Sequence, residues 1–221
     1  MYSVNVSQNP SRKEKIPAPN AQELGTLLAD NKANAEFRIL RAARQQLALN
    51  GLGISMDAIA DEAGVGRRTI FRHFPVRDEL VAQALDTSLL HFHNHVPEAL
   101  EEKIPFEEWL YRVITELYSM QITAGRGLWQ LAATEDQNLP APIAAINVKR
   151  RQQRHESTQS IAQEAWSRLG KSGNVPRNIE LMFALTLASF AARSLNFDYG
   201  AETQESIQAM TDMLMGYLKT V

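Results

Sequence analysis

The sequence predicts an all-α fold: an N-terminal three-helix helix-turn-helix domain followed by a larger helical domain, about nine helices in total. Three observations carry this. Apolar residues recur at helical spacing along most of the chain, and no strand-like alternation of useful length appears. Gly, Pro and capping residues supply starts and stops between these stretches. The 221 residues are 44% apolar and 22% charged, a soluble globular balance long enough to bury a sizeable core. Cysteine is absent, which removes disulfide scaffolds, thiol catalysis and thiolate metal sites and fits a reducing compartment. No secretion signal is visible. The longest charge-free apolar run, between Glu180 and Arg193, is too short to span a bilayer. A cytoplasmic protein with no membrane segment is the expectation.

Residues 1–33 read as an arm and lead-in. Pro10, Pro17 and Pro19 break any element before residue 20, and 21–30 could form a short helix. Helix one is expected from about Asn34 to Leu49, with Phe37, Leu40, Ala43 and Leu47 at helical spacing and Arg38, Arg41 and Arg44 facing elsewhere. Asn50-Gly51 stops it. Ser55 is a good N-cap for helix two, Met56 to Ala63, with Asp57 at the positive end of the dipole. Gly64-Val65-Gly66 makes a three-residue turn, helix three runs from Arg67 to His73, and Pro75 stops it. These elements bound an expected helix-turn-helix domain over 34–76.

The remaining residues, 77–221, read as helices throughout. Helix four spans Arg77 to about His95. Pro105 opens helix five at a position where its missing N–H costs nothing. A short helix six, Leu128–Thr134, follows the Gly125–Gly127 break. Helix seven runs from about Pro142 to Leu169, and its polar middle, Lys149–His155, is expected to face solvent. Helix eight covers Arg177 to about Asn196 and helix nine about Glu202 to Leu218.

Charge is uneven. Residues 1–77 carry 11 Lys/Arg and 7 Asp/Glu, a balance of +4, whereas 78–221 carry 12 and 18, a balance of −6. Four arginines and no acid lie between Arg67 and Arg77, a footprint for a polyanion. Two short helices joined by a tight turn opening on Gly read as a helix-turn-helix, whose second helix offers its first side chains to a DNA major groove. Arginine there can form paired bonds to guanine.

The stretch from Ser55 to Leu80, with Gly64-Val65, Thr69, Phe71, His73-Phe74 and Arg77 at their mutual spacing, resembles the signature of TetR-type transcriptional regulators. The segment ILRAARQQLALNG before it resembles their first helix. The resemblance covers about residues 35–85. It implies base contacts from Arg67, Arg68 and Arg72, and phosphate contacts from Ser55, Thr69, Phe71, His73 and Arg77. Two residues depart from the pattern: Phe71 stands where a Tyr is usual, and Gly66 replaces a common Ser, leaving the third helix without a side-chain cap.

The apolar helices suggest two further surfaces. Helix eight is apolar nearly all round, so Leu181, Leu185 and Phe190, with Met210, Met213, Leu214 and Tyr217 of helix nine, are expected to form a homodimer interface. His91, Phe106, Trp109, Met120, Trp129 and Phe183 are candidates to line a pocket for a small, apolar ligand. His91 and His95 share a helix face that His93 does not, and two imidazoles need further ligands to hold zinc. No metal or other cofactor and no catalytic residue is expected. The regulator reading is a repressor bound to a near-palindromic operator in double-stranded DNA and released by its ligand, through a ligand-driven movement of helix four. The rival readings are a dimeric ligand-binding module without DNA binding, and a histidine-based metal-binding protein.

Overall fold

The structure, a computed structural model, describes residues 21–86 and 103–221. The chain divides into two units, 1–35 and 36–221, and both apolar clusters belong to the second. Among the described residues there are nine helices and no strand. They are α1 (Ala21–Asn50), α2 (Met56–Ala63), α3 (Arg67–His73), α4 (residues 77–86), α5 (Phe106–Ala133), α6 (Ala141–Arg168), α7 (Arg177–Thr186), α8 (Ser189–Arg193) and α9 (Thr203–Leu218). A 3₁₀ turn, Asp136–Asn138, precedes α6, and a π-helical turn, Ser194–Asp198, follows α8. None of the described helices is long and apolar enough to cross a membrane.

The expected count is reached by different divisions. The lead-in and helix one are a single helix, because neither Pro nor Gly separates residues 30 and 34. Helices five and six are also joined, as α5, with a kink at Gly125 (φ 59°, ψ −146°). That backbone conformation is open essentially to Gly alone. A Cβ at Gly125 would lie 2.5 Å from the Ala48 carbonyl oxygen, and one at Gly127 would lie 2.9 Å from that of Leu47. The end of α1 therefore rests directly on the bend of α5. Leu52 N–H donates to Gln130 Oε1 at 2.6 Å just beyond it. Helix eight, in contrast, is broken at Leu187-Ala188 into α7 and α8. Three side chains satisfy the carbonyl groups exposed there. Arg154 donates to Ala184 O (2.7 Å), Tyr118 to Thr186 O (3.0 Å) and Gln121 to Leu187 O (2.9 Å).

Two apolar clusters fill the interior. The first joins Ile39, Ala43 and Leu47 of α1 to Ile59 of α2, Ile70 of α3 and Leu80, Val81 and Leu85 of α4, with Leu131 and Ile143. The second joins Trp109, Leu110, Val113 and Leu117 of α5 to Ile161 of α6, Phe183 of α7 and Ile207 and Leu214 of α9. The middle of α6 overturns an expectation. Its Lys149–His155 stretch is not all solvated, since Arg150 is buried and Arg154 half-buried on the helix's inner side, with Asn147 just before them buried too. Ile143 and Ile161, with which they share that side at helical spacing, are also buried.

Candidate nucleic-acid interface

The site begins with local backbone chemistry. The Ser55 hydroxyl accepts from Ala58 N–H at 3.1 Å and starts α2, and its O–H remains able to donate. Gly64 ends α2 in the left-handed region (φ 61°), donating its N–H to Ala60 and Asp61. Gly66 precedes α3 with no side-chain cap. Arg38 reaches from α1 to donate to Ala63 O (2.5 Å) and Gly64 O (2.8 Å), so the turn is clamped on its outside as well. No sequence pattern pointed to this role for Arg38. Its partners are backbone carbonyls 25 and 26 residues away, which leave no side-chain pattern to read.

Burial sorts the α3 residues. Ile70 is fully buried, and Phe74 just beyond the helix is buried too. Arg67, Arg68, Phe71 and Arg72 are exposed and Thr69 is half-buried. Arg67 is the most engaged of the three arginines. Its side chain is 73% exposed, pairs with Asp57 at 3.2 Å, and sets its guanidinium carbon 5.7 Å from the Phe71 ring centroid. Arg68 and Arg72 form no ion pair among the described residues. The structure thus brings Arg67, Arg68, Phe71 and Arg72 onto one solvent-facing surface, with Ser55 at the start of α2.

Two expected phosphate contacts are placed differently. Arg77 turns its guanidinium inward: Nε donates to Ile54 O at 2.6 Å, Nη2 to Leu52 O, and Nη1 to Asp78 at 2.6 Å. It ties the start of α4 to the segment before α2, and those donors are occupied. Both ring nitrogens of His73 are buried and unpartnered, so they present nothing to a phosphate in this conformation. Phe71 has no hydroxyl, and its exposed ring serves as a face for Arg67.

Residues 39–84 match the family model for bacterial regulatory proteins of the tetR family. That segment of the chain is similar to the tetR family. Solved structures agree in fold over most of the chain. A TetR-like transcriptional regulator from Rhodococcus sp. RHA1 aligns with a TM-score of 0.59 at 16% identity, over 84% of this chain and 96% of its own. A bacterial regulatory protein of the tetR family from Rhodococcus RHA1 gives 0.54 at 19% identity, over 81% and 94%. A TetR/AcrR-family regulator from Aquifex aeolicus VF5 gives 0.51 at 18%, over 84% and 98%. No curated protein sequence matches the chain. Over most of its length the chain thus shares the fold of these TetR-type structures.

The remaining site expectations divide. Trp109 and Phe183 are fully buried in the second cluster, with Phe106 and Met120 packed against it. Trp129 lies apart from them. It meets Phe197 edge-to-face at 4.7 Å and lines a groove of about 570 Å³ with Phe190, Arg126 and Arg193. His91, with His93 and His95, falls outside the described residues. No group of three metal-ligating side chains is found among those described. On the expected dimer face, Leu181, Leu185, Phe190 and Met213 are exposed, and Met210 and Tyr217 are half-buried. Leu214 is a correction: it is fully buried in its own subunit's core, because it shares the inner side of α9 with Ile207 and Leu218. Phe197 and Tyr199 are exposed too, and Phe197 lines the same groove as Phe190. The π-helical segment that holds Phe197 was not foreseen from periodicity.

Proposed function

We propose that this protein is a homodimeric, sequence-specific repressor that binds a near-palindromic operator in double-stranded DNA and is released by a small-molecule ligand. The carrying observation is the surface of α3, where Arg67, Arg68 and Arg72 face solvent while Ile70 anchors the helix in the core. Residues 34–76 act as the DNA-binding part. The remainder, 77–221, dimerises and holds the ligand, and the protein works in the cytoplasm. Arg67, Arg68 and Arg72 read base edges, and Ser55, Thr69 and the Phe71 edge approach the phosphates. For Arg67 this requires exchanging Asp57 for DNA, an exchange between two exposed partners that costs little. Leu181, Leu185, Phe190 and Met213 supply the dimer face, and two α3 helices set about 34 Å apart read two half-sites.

Release follows from population shift: a ligand that prefers the DNA-incompetent arrangement moves the equilibrium by its differential affinity. Support for a mechanical link comes from the α1 end seated on the α5 kink at Gly125 and the Lys149–Asp86 pair at 2.6 Å joining α6 to α4. The test is selection of bound fragments from a random DNA pool, followed by affinity measurement across a salt series. Tight, selective binding to paired half-sites that weakens steeply with salt is the expected result. Arg67→Ala with Arg68→Ala abolishes the selectivity. Weak binding indifferent to sequence rejects the proposal in favour of a ligand-binding module.

A further inference from the structure

Helix eight opens at a place where its own sequence carries no breaker. Residues 177–193 contain neither Pro nor Gly. Yet α7 ends at Thr186, Ala188 turns extended (φ −75°, ψ 135°), and α8 restarts at Ser189 without a side-chain cap. In a continuous helix the carbonyl groups of residues 184, 186 and 187 accept from the N–H groups of residues 188, 190 and 191. Here they accept from Arg154, Tyr118 and Gln121 instead, at 2.7, 3.0 and 2.9 Å. Tyr118 and Gln121 belong to α5 and Arg154 to α6, so the break is imposed from outside the helix. Holding it open is costly, since Thr186 Oγ1 and Gln121 Oε1 are buried without a partner among the described residues. In a closed helix the Thr186 hydroxyl has the carbonyl four residues earlier within reach.

The break decides which side of residues 189–193 faces out. At about 100° per residue, a continuous helix sets Phe190 about 140° from Leu185 and opposite Leu181. That is the side of the buried Ile179, Phe183 and Thr186. The break reverses this: Ser189 and Ala192 are buried, whereas Phe190 is exposed, as Leu181 and Leu185 are. The π-helical turn Ser194–Asp198 follows directly, and its wider turn supplies slack for a change of register. We infer that the α7–α8 break is a held, reversible element. Tyr118, Gln121 and Arg154 keep helix eight open so that Phe190 faces a second copy of the chain, and releasing them closes the helix and turns Phe190 away. The three are positioning residues, which act on the partner surface through the backbone. The inference rests on the proposed dimer face and adds to it the interior groups that shape it. A shift of α5 or α6 against α7 thereby becomes a change in dimer strength.

The experiment combines amide hydrogen exchange with sedimentation of the full chain. Tyr118→Phe with Gln121→Leu removes two donors at nearly unchanged volume and leaves Thr186 O and Leu187 O to the helix. The Phe190 amide, whose partner in a closed helix is Thr186 O, then exchanges more slowly by about tenfold or more. The dimer weakens by about tenfold or more, the scale of one hydrogen-bonded contact. Ser189→Pro acts in the opposite sense. Ala188 is extended and residue 189 is the first of α8, a position that accepts proline, whereas a continuous helix excludes it. Alone, this substitution leaves the dimer intact, and added to the double variant it restores the fold and the dimer. Wild-type exchange and dimer strength in the double variant overturn the inference. So does loss of the fold or of the dimer on Ser189→Pro alone, which would place residue 189 inside a helix. A double variant that Ser189→Pro does not rescue also overturns it, because Tyr118 and Gln121 would then act by packing. A wild type that sediments as a monomer removes the dimer reading, and exchange at Phe190 then accepts or rejects the held break by itself.

Discussion

Arg38 Nη2 donates to the carbonyl oxygen of Gly64 at 2.8 Å, tying α1 to the turn that sets α3. The same nitrogen serves Ala63 O, so one side chain satisfies two of the carbonyl groups that a helix end leaves open. Arg38→Met is expected to lower stability by about 1–2 kcal/mol, the net worth of charge-assisted bonds at a partly exposed site. Urea unfolding followed by circular dichroism checks this. An unchanged midpoint would show that the clamp is dispensable.

Gly66 before α3 and Gly125 at the α5 bend differ in what a side chain would meet. Gly125→Ala places a methyl group 2.5 Å from the Ala48 carbonyl oxygen in a backbone region closed to alanine. A loss of about 3 kcal/mol or more follows. Gly66→Ser meets nothing within 4 Å and supplies the missing α3 cap, a gain of a few tenths of a kcal/mol. Paired denaturation curves of the two variants test the contrast.

Burial in the core raises the Tyr118 phenol well above its ordinary value. The folded state therefore favours the neutral phenol. The associated stability is complete below the unfolded value of about 10 and falls as pH rises beyond it. The melting temperature should drop above about pH 10, and less steeply in Tyr118→Phe. That variant also loses the bond to Thr186 O, about 1 kcal/mol at neutral pH. Parallel alkaline slopes for the two proteins would contradict this assignment.

The proposed dimer face yields a comparison between an outward residue of α8 and an inward one of α9. Phe190, 68% exposed, should tolerate Phe190→Glu in the subunit but not in the dimer. Sedimentation then shows a monomer with unchanged helicity. Leu214→Glu buries a charge in the core and should unfold the chain, with a loss of about 3–5 kcal/mol. A dimeric Phe190→Glu protein would move the interface elsewhere.

The short helices α2 and α3 were legible in the sequence to the residue, because their ends are set by chemistry within a few positions of each other. Ser55 caps, Gly64 turns left-handed, and Pro75 follows the end of α3. Another signal was present at Glu202 and Glu205, whose spacing of three gives the capping box at the start of α9. The likeness to the tetR family model was legible for the same reason, since the matched segment contains the local turn.

The helical class, the helix-turn-helix and the arginine-bearing surface of α3 are thus written in the local pattern of the chain. Long-range packing alone assigned Arg77 and Arg38 to carbonyl groups, turned Leu214 inward beside outward Met213, and buried Arg150 within a polar stretch. Helix periodicity and capping act over three or four residues and leave a local trace. The partner of a guanidinium, or the neighbour that covers a side chain, arrives from another helix tens of residues away, and the cost of a buried charge depends on that partner alone.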